Sequence, residues 1–260
     1  MTMSRLRLTD RALVRVTGED WRGFLQGLLT QDVETITPGV LRYGALLTPQ
    51  GRLLVDLFLL GTEDGLLLDV AADRREDLIR RLAMYRLRSK VVIAADEAGV
   101  FAAFGDAPGA GWIVDPRLPA LGWRGYGLAI DDTVGRQAWD AHRIALAVPD
   151  MADFGEDATY PIEANLDLLN AIDFKKGCFV GQETTSRMKR RGVVKSRMLP
   201  LRFAGQAPAP GAEVLNGELR AGVAASGVEG LALGLMRLDR IDGALTVEGR
   251  SVEVLKPDWL

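Results

Sequence analysis

The stretch DFKKGCFVGQE, residues 173–183, decides how this chain is interpreted. Two glycines four positions apart, Gly177 and Gly181, permit a tight turn and a close approach of the backbone. Cys178 lies between them, next to two lysines, and a helix is expected to begin at Gln182. Because positive side chains and a helix N-terminus favour the thiolate, we expect Cys178 to be a reactive thiol. The alternative is a small buried cysteine that only packs in a turn.

The segment KGCFVGQE at 176–183 resembles the signature of the YgfZ-type folate-binding proteins, a branch of the glycine-cleavage T-protein (aminomethyltransferase) superfamily. Further segments resemble the family in the same order along the chain: FLQGLLTQDV at 24–33, the hairpin at 43–56, DPRL at 115–118, LGWR at 121–124 and PIEANL at 161–166. The resemblance covers nearly the whole chain and looks nearest to the branch of the mitochondrial assembly factor for 4Fe–4S proteins. It implies a role in iron–sulfur cluster assembly or repair.

The fold implied by the resemblance is α+β, a three-domain T-protein-like cloverleaf around a central opening, ending in a small β-barrel. The implied domains are residues 1–41 plus 110–193 as a split folate-binding-type first domain, 42–109 as an inserted α+β domain, and 194–260 as the barrel. The residues favour the same class, since hairpins precede helices without regular βαβ alternation. Short apolar runs after Gly192 alternate with Gly and Pro turns, which predicts the barrel, and a strand is predicted at Tyr126–Ile130.

The resemblance also implies a functional site that binds tetrahydrofolate or a derivative. The candidate catalytic residues are Cys178, as the reactive thiol, and Asp56, as an acid near a folate nitrogen. The candidate cofactor-binding residues are Glu163, Asn165, Trp123, Lys176, Gly177, Gln182, Glu183 and Arg187. In this arrangement Trp123 stacks on the pterin, and Lys176 or Arg187 meets the folate carboxylates. The alternatives are core packing for Trp123 and an acid that simply faces water or a cavity for Asp56.

Two positions depart from the T-protein pattern and bear on the reaction. The paired aspartates of the T-protein hairpin strand read Val55-Asp56 here, so one carboxylate is missing. The Arg-x-Glu-x-Gly motif has Ala145 in place of its glutamate. Leaving buried donors without a charged partner costs about 1–3 kcal/mol or more. We therefore favour a folate-binding maturation factor, and whether it is an enzyme stays open. An aminomethyltransferase or other one-carbon transferase is the first alternative, and a non-catalytic interaction module is the second.

The 260 residues include one cysteine, Cys178, and one histidine, His142. This inventory excludes an intramolecular disulfide, a zinc site of cysteines and histidines, and a four-cysteine cluster. No metal site of the protein's own is expected, so any iron–sulfur cluster must be shared with a partner. The expected partners are folate and either iron–sulfur assembly proteins or their client enzymes.

Charge and hydropathy limit the remaining classes of partner. The net charge is −3, and no run of 18 apolar residues occurs, so neither nucleic acid nor a membrane is expected as a partner. The N-terminus lacks the apolar stretch of a signal peptide, and we expect a cytoplasmic location. The basic run from Arg187 to Arg197 has no interleaved aromatic residues. A solvated face or an anion clamp is favoured there over nucleic-acid binding.

Overall fold

The computed structural model describes residues 3–155, 158–192 and 194–260, and the chain divides into two compact units. The first unit is Met1–Gly135 with Leu169–Gln182, and the second is Arg136–Leu168 with Glu183–Leu260. Both strands and helices are present, so the predicted α+β class is confirmed. The division into three domains stays a prediction. In the described ranges, no helix has the length and apolarity needed to cross a bilayer.

The first unit contains nine strands and two α-helices in its described part. In chain order they are β1 (Ser4–Arg7), β2 (Arg11–Thr17), α1 (Trp21–Gln26), β3 (Leu41–Leu47), β4 (Leu53–Gly61), β5 (Gly65–Ala71), α2 (Arg75–Arg86), β6 (Val92–Asp96), β7 (Val100–Phe104), β8 (Trp112–Val114) and β9 (Trp123–Tyr126). Single 3₁₀ turns occur at Ala72–Arg74 and Pro119–Leu121.

A five-stranded antiparallel sheet with the order β3-β4-β5-β2-β6 carries most of the core of this unit. Strands β4 and β5 are almost continuously apolar, and nearly every residue of both is buried. Apolar runs of this length without alternation are typical of strands covered on both faces. Asp56 in β4 and Asp69 in β5 are the carboxylates placed inside these apolar strands.

The second sheet of this unit has the order β1-β7-β9-β8, again antiparallel. The predicted strand at Tyr126–Ile130 is wrong in position, because β9 is Trp123–Tyr126. Gly122 and Gly127 bracket the observed strand with φ values of 100° and 64°. A positive φ lies outside the β region, so the extended conformation ends at each of these glycines.

The cysteine motif is tied into the first unit through Thr30. The Thr30 hydroxyl donates to the Ala171 carbonyl at 2.6 Å and accepts from the Ala45 amide at 2.8 Å. The Asp173 amide in turn donates to the Thr30 carbonyl at 3.0 Å. Residues that are more than a hundred positions apart in sequence thereby fix where the motif begins.

The second unit combines helices with a closed antiparallel barrel. Its elements are α3 (Arg136–Ala145), a 3₁₀ turn at Met151–Asp153, α4 (Gln182–Arg191), β10 (Ser196–Arg202), β11 (Glu213–Asn216), β12 (Leu219–Val228), β13 (Leu231–Arg237), β14 (Leu245–Val247) and β15 (Arg250–Val254). Helix α4 begins at Gln182, as predicted, although that residue is counted with the first unit. The barrel closes in the order β10-β13-β12-β11-β14-β15, which confirms the predicted C-terminal barrel. Leu199, Val214 and Met236 are among the buried residues that fill it.

Candidate functional site

Cys178 is exposed on the loop that precedes α4. The next residue, Phe179, is buried, and the Val180 amide donates to the Gly27 carbonyl at 3.2 Å. The chain is therefore anchored directly after the cysteine, while the thiol stays accessible. The alternative of a buried packing cysteine is wrong, and the reactivity of the thiol stays a prediction.

Lys176 anchors the same loop from the other side of the cysteine. Its Nζ donates to three backbone carbonyls, those of Gln26 at 2.7 Å, Leu29 at 2.6 Å and Gln31 at 2.9 Å. An ammonium group has three N–H donors, so all of them are used. The acceptors lie at and beyond the end of α1, where carbonyls lack partners within the helix. A contact between Lys176 and a folate carboxylate would require one of these bonds to be exchanged.

The ionisation of Lys176 is set by its partial burial. Burial lowers the pKa of Lys176 to about 8, while the nearby carboxylates of Asp32 and Asp173 act in the opposite direction. At neutral pH the ammonium form predominates, and this is the form that supplies three donors. Asp173 also shapes the backbone here, because its Oδ1 accepts from the amides of Lys175 at 2.7 Å and Lys176 at 3.2 Å.

The two glycines of the motif have different structural roles. Gly181 has a φ of 81°, and a Cβ at this position would lie 2.6 Å from the Thr48 carbonyl oxygen and 2.9 Å from Gly51 Cα. Gly181 is therefore required for the close approach of the motif to the turn between β3 and β4. A Cβ on Gly177 would meet nothing within 4 Å. Gly177 leaves open space beside the exposed thiol.

An open cleft of about 770 Å³ lies in the first unit beside the residues that lead into the motif. Its lining includes Arg42, Asn170, Asp173 and Lys175. Arg42, Asn170 and Lys175 are exposed, and the Asn170 amide group donates to the Pro116 carbonyl at 3.0 Å. The volume lies within the range of roughly 300–1,000 Å³ that small-molecule sites occupy. This cleft offers two cations and a side-chain amide to a polar ligand.

Asp56 is completely buried and is engaged by two neighbours. Arg11 Nη1 lies 3.1 and 3.3 Å from its two carboxylate oxygens, and the Tyr43 hydroxyl donates to it at 3.2 Å. Arg11 Nε also donates to Asp69 at 2.6 Å. A ligand reaches the Asp56 carboxylate only if Arg11 or Tyr43 moves. The predicted role of Asp56 beside a folate nitrogen stays a prediction.

These contacts belong to a larger buried ion network that joins the two sheets of the first unit. Arg124 Nη1 donates to Asp69 at 2.5 Å, and Arg117 binds Asp115 through Nε at 3.0 Å and Nη2 at 2.9 Å. Its ionised members, all nearly or fully buried, are Arg11, Arg117, Arg124, Asp56, Asp69 and Asp115. Three positive and three negative groups compensate one another, as charges buried this deeply require.

The ring of Phe58 packs against the three arginines of this network. The guanidinium carbons of Arg124, Arg117 and Arg11 lie 3.5, 4.8 and 5.4 Å from the Phe58 ring centroid.

Burial raises the pKa of Asp115, but the Arg117 and Arg124 guanidinium groups more than offset this and leave that pKa below its ordinary value. Asp115 therefore stays ionised at neutral pH, as its two arginine partners require.

Tyr126 donates its hydroxyl to Asp69 at 3.1 Å. Burial, and next the Asp69 carboxylate, raise the pKa of Tyr126 well above its ordinary value. Tyr126 therefore acts as a neutral donor.

The neighbouring Trp123 is half-buried in β9, where it lies opposite Ala103 and Val114. Stacking of Trp123 on a pterin stays a prediction.

Glu163 and Asn165 belong to the second unit, where both lie next to β10. Asn165 is fully buried with a φ of 63°, and its Nδ2 donates to the Met198 carbonyl at 2.8 Å. Its Oδ1 has no hydrogen-bond partner among the described residues. Glu163 is half-buried and accepts from the Tyr160 amide at 3.3 Å. Their predicted roles in folate binding stay predictions.

Helix α4 carries the remaining predicted residues, with Gln182 half-buried and Glu183 and Arg187 exposed. The basic run that follows is not a single cationic face. Arg197 is buried and forms an ion pair with Asp167, whose other oxygen lies 3.5 Å from Lys189 Nζ. The expected anion clamp is therefore reduced to the exposed cations of α4 and to Lys195, which is exposed after the helix.

Arg143, the first residue of the altered T-protein motif, is a structural residue of the second unit. It is buried and donates to Asp153 at 2.7 Å, Asp140 at 2.7 Å and the Ser226 hydroxyl at 2.8 Å. Burial lowers the pKa of Arg143, but the carboxylates of Asp153, Asp150 and Asp140 together outweigh this effect, and the net pKa is raised. Ala145 is exposed at the end of α3.

The sequence interpretation missed the roles of Arg11, Asp69 and Arg124. One signal was available, because Asp69 interrupts the otherwise apolar strand β5 and needs a partner there. Asp115 and Arg117 lie in a segment already recognised by resemblance, but nothing in the sequence indicates that they bind each other. Among the described residues, no group of three or more His, Cys, Asp or Glu is placed to hold a metal ion.

The sheets and barrel described above define a protein of the aminomethyltransferase T fold. The structure matches the glycine cleavage system aminomethyltransferase T of Bartonella henselae with a TM-score of 0.78 over 99% of this chain and 86% of that chain. At 19% sequence identity this likeness shows the fold alone. The model of the CAF17 C-terminal beta-barrel domain matches residues 195–260.

Sequence comparison gives the family. The chain is 33% identical to the human mitochondrial iron–sulfur cluster assembly factor IBA57, over 97% of this chain and 84% of that protein. The mouse protein is 32% identical with the same coverage, whereas the Neurospora crassa homologue is 33% identical over 78% of this chain and 54% of its own length. The chain belongs to the IBA57 family, which confirms the predicted branch. These relatives are described as mitochondrial, and a cytoplasmic location for this chain stays a prediction.

Proposed function

We propose that this protein acts in iron–sulfur cluster assembly and that Cys178 is the group through which it contacts a cluster. The observation that carries the proposal is the exposed thiol on a loop anchored by Lys176 on one side and Val180 on the other. Membership in the IBA57 family supports the process. The anchored loop supports a fixed position for the sulfur.

A single cysteine sets the manner of contact. Iron–sulfur clusters are ordinarily held by four thiolates, and this chain has one. Cys178 therefore supplies one ligand to a cluster whose other ligands belong to a partner, either an assembly protein or a client enzyme. The open space over Gly177 leaves room for the partner surface beside the sulfur.

The test uses a strain that lacks the protein and a panel of 4Fe–4S enzymes whose activities are measured. Cys178→Ser should fold normally, because the volume change is small and the site is exposed, yet should fail to restore the activities. Ser251→Ala, at an exposed position of β15, is the matched control and should restore them fully. Full restoration by Cys178→Ser would show that the sulfur is not the functional group.

The finer proposal is that tetrahydrofolate or a derivative binds in the 770 Å³ cleft. Asp56 and Lys176 do not fit as its contacts while they are engaged by Arg11 and by three carbonyls. The cleft itself fits better, because Arg42 and Lys175 are exposed cations suited to the two carboxylates of the glutamate tail. The burial of Asp56 also supports a binding role over aminomethyl transfer, which would need an accessible acid.

Thermal unfolding with and without tetrahydrofolate tests this finer proposal, since a ligand that binds only the native state raises stability. We expect the unfolding temperature to rise with ligand concentration, and Lys175→Ala to weaken the effect. Arg250→Ala, on the C-terminal barrel, is the control and should leave the effect unchanged. An unfolding temperature that is independent of tetrahydrofolate would refute the proposal that folate binds in the cleft. It would not affect the proposed role of Cys178.

A further inference from the structure

The segment between α2 and β6 exposes an unusual amount of apolar surface. Met84 is 63% exposed, Tyr85 46%, Leu87 89% and Val92 60%. These four residues lie within nine positions, whereas the other large exposed hydrophobic residues in the described part of the chain are scattered singly. Single exposed apolar residues are ordinary, but a cluster of them marks an interaction surface. Leu87 also has a φ of 44°, an unfavourable conformation for a residue that gains no burial from it.

The adjoining strand β6 leaves one backbone edge open. It pairs with β2 on one side and is the last strand of its sheet. The described residues provide no backbone hydrogen bond to Val92–Asp96 from the other side. Because only one side of the strand is paired, a row of N–H and C=O groups is available for another strand.

Other strand edges of this unit are covered or short. The Arg5 carbonyl of β1 accepts from the Thr133 amide at 2.8 Å, and the Arg7 amide donates to Asp132 at 2.6 Å. The Ala45 carbonyl of β3 accepts from the Thr30 amide at 3.0 Å. Strand β8 has three residues. The open edge of β6 is therefore a particular feature of this strand and not of the unit in general.

The charges at the two ends of β6 indicate the orientation in which a partner strand would add. Arg86 and Arg88 are exposed before the strand. Asp96, the last residue of β6, and Glu97 lie at its other end, where they form ion pairs with Arg15 and Arg75. An added antiparallel strand would place its C-terminal end beside the two arginines and its N-terminal end beside the two acids. Acidic residues at its C-terminal end would complement the two arginines. Basic residues at its N-terminal end would approach acids that already pair with Arg15 and Arg75, so the arginine end carries most of the charge preference.

We propose that β6 is a docking edge for an extended segment of a partner protein, which adds as an antiparallel strand. Its apolar side chains pack on Tyr85, Leu87 and Val92, and its C-terminal acids face Arg86 and Arg88. Lipid headgroups cannot supply alternating backbone donors and acceptors, so the open edge favours a polypeptide over an anionic membrane. This surface does not involve Cys178, and it stands independently of the proposed chemistry there.

The test measures the fluorescence anisotropy of a labelled decapeptide with the full-length protein. The peptide has two lysines at its N-terminal end, alternating valine and threonine in the middle, and two glutamates at its C-terminal end. A control peptide of identical composition has its charged ends exchanged, and a second carries N-methyl groups on alternate middle residues. We expect each control to bind at least about tenfold more weakly, since each loses the equivalent of one to two net hydrogen bonds or ion pairs.

Two exposed substitutions, Leu87→Glu and Arg88→Glu, should weaken binding of the first peptide by a similar factor while leaving the urea unfolding curve unchanged. Equal binding of the two charge orders, or no binding of the first peptide, would overturn the proposal. So would co-sedimentation with phosphatidylserine vesicles that Leu87→Glu abolishes, because the surface would then be a membrane contact. A concentration-dependent dimer that Leu87→Glu dissociates would assign the edge to a second copy of this chain and overturn it equally.

Discussion

The buried ion network makes a quantitative prediction for Asp56→Asn. The substitution keeps the shape of the side chain but removes one of three negative charges from a cluster that holds three arginines. Removing one partner of a buried ion pair costs about 3–5 kcal/mol, because the other charge is left uncompensated. The amide oxygen still accepts from Arg11 or Tyr43, so we expect the free energy of unfolding to fall by about 3 kcal/mol, the lower end of that range.

Urea unfolding followed by circular dichroism measures this change, with the slope of the transition expected to stay constant. Glu63→Gln provides the matched control, since Glu63 is exposed in the turn between β4 and β5. It should change the free energy of unfolding by no more than about 0.5 kcal/mol.

A loss below about 1 kcal/mol for Asp56→Asn would refute the reasoning, because the carboxylate would then contribute little to the network. The same variant separates structure from chemistry. If Asp56 is structural, any loss of function in cells should follow the loss of folded protein. A variant of native stability that cannot restore 4Fe–4S enzyme activity would instead support the catalytic role predicted from the sequence.

Three further predictions concern the cysteine loop. Gly181→Ala should destabilise the protein by at least about 1–3 kcal/mol, since the positive φ strains the backbone and the new Cβ would also press on the Thr48 carbonyl. Gly177→Ala should be nearly neutral, and urea titrations of both variants measure the difference. The folded pKa of Lys176, about 8, lies below the ordinary 10.5. Between pH 8 and 10.5 the unfolded state binds more protons than the folded state, so the free energy of unfolding of the natural protein, measured relative to Lys176→Met, should rise with pH. The gain should be complete above pH 10.5 and should be lost as the pH falls back to about 8. Native protein should react with iodoacetamide at Cys178 without denaturant, and labelling only after unfolding would contradict the assigned exposure.

Local sequence determined a large part of this protein. The short apolar runs between Gly and Pro turns predicted the barrel, because side-chain burial imposes this pattern directly. The motif at 173–183 indicated the family, and it indicated Cys178 as the candidate reactive thiol. Its helix begins at Gln182 because the signal is local and lies within one turn of the chain.

The tertiary structure decided which groups are free to act. Nothing near Asp56 in the sequence indicates Arg11, and nothing near Lys176 indicates the three carbonyls it binds, since these partners are up to 150 residues away. Whether a charged side chain faces a ligand or is neutralised inside the fold depends on contacts that form only when strands pair. Sequence patterns report on local geometry and on which face is buried, but ion pairing is a property of the assembled sheets. For this reason the sequence predicted Cys178 as a candidate functional thiol. Only the structure showed that Asp56 is already bound by Arg11 and that Lys176 is already bound to backbone carbonyls.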